Sequence, residues 1–205
     1  MDLSEQIDPI LLGFSKAFDK VPHERLLYKA QYYGIDGSTL LWIREFLSSR
    51  NQRVLVKGQS SHTAPVCSGV PQGSVIGPLM FLLFINDLPD YVKSCNVRLF
   101  ADDSVLYRRI HRASDMQSLQ DEMDNLLQWE QDWQMEFHPS KCQLLRITNK
   151  RKPFARDYDI TWTQIRRSGI GQIPRGYHPK ESHLKYPHRP NHKKGELHQS
   201  LSSGT

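Results

Sequence analysis

The chain has 205 residues, a net charge of +5 at pH 7, 38% hydrophobic residues and three cysteines, which suits one domain with a real core and not two full ones. Its longest apolar run, residues 79–85 with Val75 and Ile76 before it, is broken by Gly77 and Pro78 and is too short to cross a bilayer. Cys67, Cys95 and Cys142 are too scattered for a zinc site or a disulfide framework, and the polar, acidic start at residues 1–8 is unlike a signal peptide; an intracellular setting, nuclear or cytoplasmic and not secreted, is expected, with no membrane partner.

The average charge hides a division. Residues 1–150 carry 16 Lys and Arg against 18 Asp and Glu, a net of −2, whereas residues 151–205 carry 11 against 4, a net of +7. The basicity lies in the tail, so a nucleic-acid face on the folded part has to be argued from motifs rather than from net charge.

Residues 9–14 form a short apolar run suited to a buried strand, followed by Ser15-Lys16-Ala17-Phe18-Asp19. A helix is expected after Val21, with Pro22 in its first turn, Leu26, Leu27 and Ala30 on one side and Gly34 as its stop. A second helix is expected from Ser38, as cap, to about Leu47, burying Leu40, Leu41, Ile43, Phe46 and Leu47. Residues 53–56 and 64–66 read as strands around a polar turn at 58–63. The segment 67–78 is dense in Gly and Pro and leads into a helix at 79–88, an arrangement that lets backbone approach a ligand closely.

Residues 97–107, Val-Arg-Leu-Phe-Ala-Asp-Asp-Ser-Val-Leu-Tyr, read as a tight β-hairpin with two adjacent acids at its tip. Apolar flanks packed in a core make a rigid mount for a metal-binding carboxylate; a solvent-exposed turn, where Asp favours the turn conformation, accounts for the same residues. Strand alternation lets only one of the two acids face a given ion squarely, and Asp102 is the expected one. Ser114 is the expected cap of a long helix through Met116, Leu119, Met123, Leu126, Leu127 and Trp133. Residues 137–141 end it, and residues 142–148 form a final strand. Beyond Lys150 the composition turns basic and rich in His and Pro. Residues 151–205 are read as a separate basic tail, disordered at least from 174; its histidines, His178, His183, His188, His192 and His198, have no metal-ligand spacing.

The order of strand, helices, Gly/Pro loop with Gln, acidic hairpin, long helix and strand closely resembles the palm of the reverse transcriptases of non-LTR (LINE-type, jockey-like) retrotransposons, over residues 8 to about 152. The matching residues are Phe14-Ser15-Lys16-Ala17-Phe18-Asp19-Lys20-Val21-Pro22-His23; Ser68-Gly69-Val70-Pro71-Gln72-Gly73-Ser74 with Gly77-Pro78-Leu79 and Phe84-Ile85-Asn86-Asp87-Leu88-Pro89; Phe100-Ala101-Asp102-Asp103; and Pro139-Ser140-Lys141. Four motifs in this order are far more specific than any one alone.

The resemblance implies an α+β palm over residues 1–150, with an antiparallel, RRM-like sheet and helices on one face. It also implies RNA-templated DNA synthesis with an RNA template, a DNA primer and dNTP. Two Mg²⁺ ions, about 3.5 to 4 Å apart, would activate the primer 3′-hydroxyl and hold the phosphate oxygens. By the same resemblance, Asp102 and Asp103 are metal ligands and catalytic residues, and Phe18 is the bulky residue under the deoxyribose. Gln72, with Gly73 beside it, contacts the incoming nucleotide, and Lys141 lies near the leaving pyrophosphate. Plain readings accompany each of these: Phe18 as core, Gln72 as a loop amide bonded to nearby backbone, Lys141 as a solvated lysine.

One departure bears on all of this. Where the family has Asp at the start of Asp-Phe-Ser-Lys-Ala-Phe-Asp, this chain has Gly13. Asp19 lies beyond the strand, and Asp8, five residues back, is roughly 16 Å away along an extended chain. Loss of the bridging ligand implies a catalytically dead copy. Only eight residues precede the match and the resemblance fades after Lys152, which implies a partial copy without fingers or thumb and a tail read in a shifted frame. A non-catalytic nucleic-acid binder using the +7 tail and a decayed open reading frame are the alternative readings.

Overall fold

The computed structural model describes residues 5–160 and 163–171, the last six of these, 166–171, as backbone. In chain order these form β1 (Gln6–Gly13), α1 (Ala17–Lys20), α2 (His23–Tyr32) and α3 (Gly37–Leu47). The short strands β2 (Asn51–Gln52), β3 (Leu55–Val56), β4 (Gln59–Ser60) and β5 (Ala64–Pro65) come next. After them come α4 (Gly77–Ile85), a 3-10 turn at Leu88–Tyr91, β6 (Asn96–Phe100), β7 (Asp103–Arg109) and α5 (Ala113–Trp133). A second 3-10 turn at Pro139–Lys141 precedes β8 (Gln143–Thr148), β9 (Asp159–Ile160), β10 (Thr163–Gln164) and β11 (Arg166–Gly171).

Five strands form one sheet in the order β11-β8-β1-β7-β6. β1 is antiparallel to both β7 and β8, and β6 to β7. The expected all-antiparallel sheet is corrected at one edge, where β11 runs parallel to β8. Alternation sorts the two faces. Gln6, Asp8, Ile10 and Leu12 of β1, Ser104 and Leu106 of β7, and Leu144, Arg146 and Thr148 of β8 are buried, because this face meets the helices. On the other face Ile7, Pro9, Val105, Tyr107, Leu145 and Ile147 are half-buried and Leu11 is exposed.

Between the sheet and the helices lies an aromatic core. The Phe14 ring stacks on Phe137 at 4.6 Å and lies 5.7 Å from Trp129, while Phe84 meets Trp129 and Trp133 edge-on. α5 enters this core through Met116, Leu119, Met123, Leu126, Trp129 and Trp133, all buried, at the spacing of one helix face. Its first turn is capped by Asp115 rather than Ser114: the carboxylate accepts the backbone N–H groups of His111 and Arg112. Burial alone would push the Asp115 carboxyl up, yet those two bonds and the Arg108 guanidinium hold it below its ordinary value.

Two local expectations differ from the structure. Leu41, expected in the core, is 63% exposed, because α3 packs on α2 through a narrow stripe that includes Ile43 and Leu47. The strands around 58–63 form a nested hairpin instead, with β2 on β5 and β3 on β4. Lys57 and Gly58, at φ 49° and 80°, make the tight two-residue turn that fixes this register.

Packing continues past Lys150, where the composition changes. The Phe154 N–H donates to Gln6 Oε1, Gln6 Nε2 donates back to the Phe154 carbonyl, and Tyr158, Ile160 and Ile165 are buried. Tyr158 donates to Asp8, whose carboxylate also receives both Nε and Nη2 of Arg146 at 3.2 Å. Burial beside that carboxylate pushes the Tyr158 hydroxyl far above its ordinary value. The remainder of the composition-defined tail, 161–162 and 172–205, lies outside the described residues.

Lys29 is a second buried charge in the core. Its side chain is 2% exposed, its ammonium donates to Asp87 Oδ1 and the Phe84 carbonyl, and it sits 3.6 Å from the Trp133 ring centroid. Trp129 Nε1 donates to the same Asp87 oxygen at 2.9 Å. Removing one member of a buried ion pair leaves the other uncompensated. Lys29→Met is therefore expected to cost about 3 kcal/mol and to lower the melting temperature by roughly 6 to 12 °C. Lys29→Met combined with Asp87→Leu should recover most of that loss, as thermal unfolding followed by circular dichroism would register.

Candidate active site

The acidic hairpin closes on a two-residue turn. Phe100 pairs with Asp103, leaving Ala101 and Asp102 between them, and Ala101 takes a left-handed φ of 53°, which is strained for a residue with a Cβ. Asp102 is half-buried in the turn and Asp103, exposed, opens β7. The register puts Asp103 directly opposite Gly13, and directly opposed residues on an antiparallel pair present their Cβ atoms to one face. Asp103 is thus the cross-strand partner of residue 13; Asp102 lies in the turn, where strand alternation does not fix its direction.

Gly13 itself is covered from the other side. The backbone N–H of His138 donates to the Gly13 carbonyl and that of Ser15 to the Glu136 carbonyl, both at 2.8 Å, and Phe14 bridges Phe137. Lys141, at the end of the following turn, is exposed but reaches back so that Nζ donates to the Phe14 carbonyl at 3.1 Å. The long helix already ends at Trp133, with Gln134 in a left-handed cap, and Phe137–Lys141 instead lies alongside the end of β1.

The Gly/Pro loop is clamped to the segment after β1. Gly69 N–H donates to Val21 O and Val70 N–H to Phe18 O, each at 2.8 Å, and Ser68 Oγ donates to Asp19 O at 2.9 Å. A Cβ at Gly69 would stand 2.6 Å from the Asp19 carbonyl oxygen, so the close approach requires glycine. Arg50 Nη2 also donates to the Gly69 carbonyl, at 2.7 Å. Gln72 Nε2 donates to Asp19 Oδ1 at 2.7 Å, and Gly73 follows at φ 80° with open space about it. The Phe18 ring is half-buried, 4.7 Å from Phe81. Asp19, Arg50 and Glu130 were not singled out as site residues by the sequence; only the short Gly69 loop hinted that something must approach it.

Residues 10–186 match the family described as reverse transcriptase (RNA-dependent DNA polymerase). The chain belongs to this family. It is 31% identical over 158 residues to the RNA-directed DNA polymerase from mobile element jockey of Drosophila melanogaster, covering 73% of this chain and 17% of that protein. It is 32% identical over 165 residues to the probable RNA-directed DNA polymerase from transposon X-element of the same organism, covering 74% and 17%. These matches bear out the resemblance to non-LTR retrotransposon reverse transcriptases. The chain spans about 17% of the curated relatives it matches. Among solved structures, apo telomerase from Candida tropicalis truncated from its C-terminal domain shares the fold, with a TM-score of 0.52 at 11% identity, covering 76% of this chain and 33% of that one.

In this reverse transcriptase domain the hairpin acids, the end of β1 and Lys141 come together, while Phe18, Gln72 and Gly73 belong to the neighbouring clamp around Asp19. The nearest acids to Gly13 in sequence are engaged elsewhere: Asp8 with Arg146, Tyr158 and Gln6, and Asp19 with Gln72. Among the described residues no three His, Cys, Asp or Glu side chains are grouped to hold a metal ion, and no helix is long and apolar enough to cross a membrane. A cleft at the end of α5 is lined by Glu130, Gln131, Gln134, Met135, Glu136 and Phe137, none of them a site residue expected from the sequence.

Glu130 holds the segment that covers Gly13, since its Oε1 accepts the Phe137 N–H. Burial, and then the neighbouring Glu136 carboxylate, push the Glu130 carboxyl above its ordinary value of 4.5, against the Phe137 N–H and Lys20. A raised folded-state value means that the native state binds the proton more tightly than the unfolded chain does, so this group's contribution falls as pH rises from about 4.5. Glu130→Gln keeps an acceptor for Phe137 and removes the charge. It should raise the melting temperature at pH 7, with the difference disappearing below pH 4.5; a gain that grew on acidification would contradict this assignment.

Proposed function

We propose that this chain is a copy of a retrotransposon reverse transcriptase palm whose cation site has been lost, so that it does not extend a primer. The observation that carries this is the pairing of Gly13 with Asp103 in a chain that belongs to the family, at the position where the family has Asp. On this reading residues 1–150 are the palm, its sheet RRM-like, and residues 151–205 are a basic continuation whose described part, to residue 171, packs on that sheet and its helices. The substrates of the parent activity are an RNA template, a DNA primer and dNTP, acted on inside the cell. Phe18 lies under the sugar of an incoming nucleotide, Gln72 and Gly73 contact it, and Lys141 faces its phosphates.

The donor set does not fit the Mg²⁺ pair that the family implies. Asp102 and Asp103 offer two adjacent carboxylates, residue 13 offers none, and Lys141 brings an ammonium group to the neighbouring carbonyl of Phe14. Positioning and electrostatic stabilisation supply most of the rate in phosphoryl transfer, so the loss of one anchoring carboxylate leaves little to replace it. What the chain keeps is the framework that orients Gln72 through Asp19.

A second reading has its own support in the charge division: the +7 of residues 151–205 against the −2 of residues 1–150 suits sequence-independent contact with phosphates. It requires no chemistry at residue 13.

Primer extension on an RNA template with Mg²⁺ tests the first reading, with the jockey polymerase as positive control. No extension by this chain is expected, and replacing the family's aspartate by glycine in the jockey polymerase is expected to cost about 10³-fold or more in rate. Extension by the Gly13 chain would overturn the proposal. In a parallel RNA-binding titration, an affinity that falls steeply with salt and disappears on deleting residues 151–205 would support the second reading.

A further inference from the structure

The acidic hairpin is held unequally along its two strands. β7 pairs with β1 along its whole length, from Asp103 to Arg109, and buries Ser104 and Leu106. β6 is the edge strand, laddered to β7, and none of its five residues is buried. Apolar burial, the main force that docks an element on a core, therefore does little for β6. Yet the turn that carries Ala101 and Asp102 hangs between the two strands, so its direction depends on where β6 lies.

What holds β6 is polar and lies just before its start. Glu122 of α5 is 3% exposed, and its Oε1 accepts the backbone N–H groups of both Lys93 and Ser94, the former at 3.0 Å. Asn125 Nδ2 donates to the other oxygen, Oε2, at 3.0 Å. Burial pushes the Glu122 carboxyl up, but these bonds outweigh it and hold the group below its ordinary value. Two turns earlier on α5, about 10 Å along the same face, Asp115 Oδ1 receives Arg108 Nη2 of β7 at 3.2 Å. Arg108 Nη1 donates to the Ser94 carbonyl, which closes a circuit from α5 through both feet of the hairpin.

We infer that Glu122 is a positioning residue for Asp102 and Asp103: by fixing the chain just before β6 it sets the lie of the hairpin, and with it the two carboxylates at the far end. The inference goes beyond the reading of residue 13, because the anchor is at the opposite end of the hairpin from Gly13. Reach decides the anchor, not charge alone. A carboxylate one methylene shorter cannot meet both N–H groups from a backbone fixed by the buried face of α5, whereas an amide of the same length keeps an acceptor for them. With the anchor released, β6 opens locally while β1, β7 and the aromatic core stay folded.

Cys95, half-buried and next in sequence to Ser94, reports such opening, while Cys67 is exposed and Cys142 lies in the core. The test compares two variants of the full chain by site-resolved alkylation with iodoacetamide. Glu122→Asp keeps the charge and shortens the reach; Glu122→Gln keeps the reach and removes the charge. Glu122→Asp is expected to speed alkylation of Cys95 at least about ten-fold, as suits the loss of bonds to a charged acceptor, and to leave Cys142 unchanged. Glu122→Gln is expected to stay within about three-fold of the parent chain. The side-chain carboxyl carbon resonances of Asp102 and Asp103 should shift in Glu122→Asp and return to their parent positions in Glu122→Gln. A rise at Cys95 in Glu122→Gln as large as in Glu122→Asp would overturn the inference, because charge and not reach would then be the cause. So would an unchanged Cys95 in Glu122→Asp, or Cys142 reacting in step with Cys95, which marks global unfolding. Faster Cys95 alkylation with unmoved Asp102 and Asp103 resonances would confine the anchor to the foot of the hairpin and overturn the positioning role.

Discussion

β1 is bonded along both edges, to β7 on one side and β8 on the other, and the rest of the molecule is arranged by that constraint. A strand in this position cannot slip by one residue without turning every side chain to the opposite face. Here a slip would carry Ile10 and Leu12 out of the core and put Leu11 in. The same register that buries those two residues also brings Gly13 opposite Asp103. The placement of the hairpin acids is thus a consequence of core packing several residues away.

The other end of β1 shows how firmly the fold holds that strand. Asp8 is fully buried, yet its two oxygens receive Arg146, Gln6 and Tyr158. Arg146 Nη2 has a further acceptor in the Arg156 carbonyl. A buried ion pair stabilises only when its remaining donors and acceptors are satisfied, because desolvation of both ions opposes it. This one meets that condition by recruiting the segment beyond β8. The continuation of packing past Lys150 and the register of β1 are therefore one problem with one solution.

Much of this was legible in the residues. Short β-branched runs around the two acids pointed to the hairpin, because a two-residue turn between alternating strands leaves little freedom; the spacing of Met116, Leu119, Met123 and Leu126 pointed to α5 and its buried face. Illegible were the features set by long-range contact. Leu41 looks like core on a helical wheel, yet α3 presents only a narrow stripe to α2. Lys29 looks like a surface lysine, and nothing local predicts that Asp87, Phe84 and Trp133 enclose it. Gly13 is legible as the glycine that stands where the resemblance has Asp; that Lys141, far along the chain, lies against it is not.

The clamp on the Gly/Pro loop is built independently of residue 13. Its bonds run from residues 68–72 to Phe18, Asp19 and Val21, and none depends on a side chain at residue 13. Gln72 is held by Asp19, and Asp19 in turn sits on the short helix α1 next to α4. The loop's geometry is therefore set by its contacts with residues 18–21 rather than by the hairpin acids. Gly13, by contrast, lies where β1, β7 and the turn before β8 converge, with the Lys141 side chain against it. A substitution at such a position can change the chemistry of the acids while leaving the register, the clamp and the aromatic core in place.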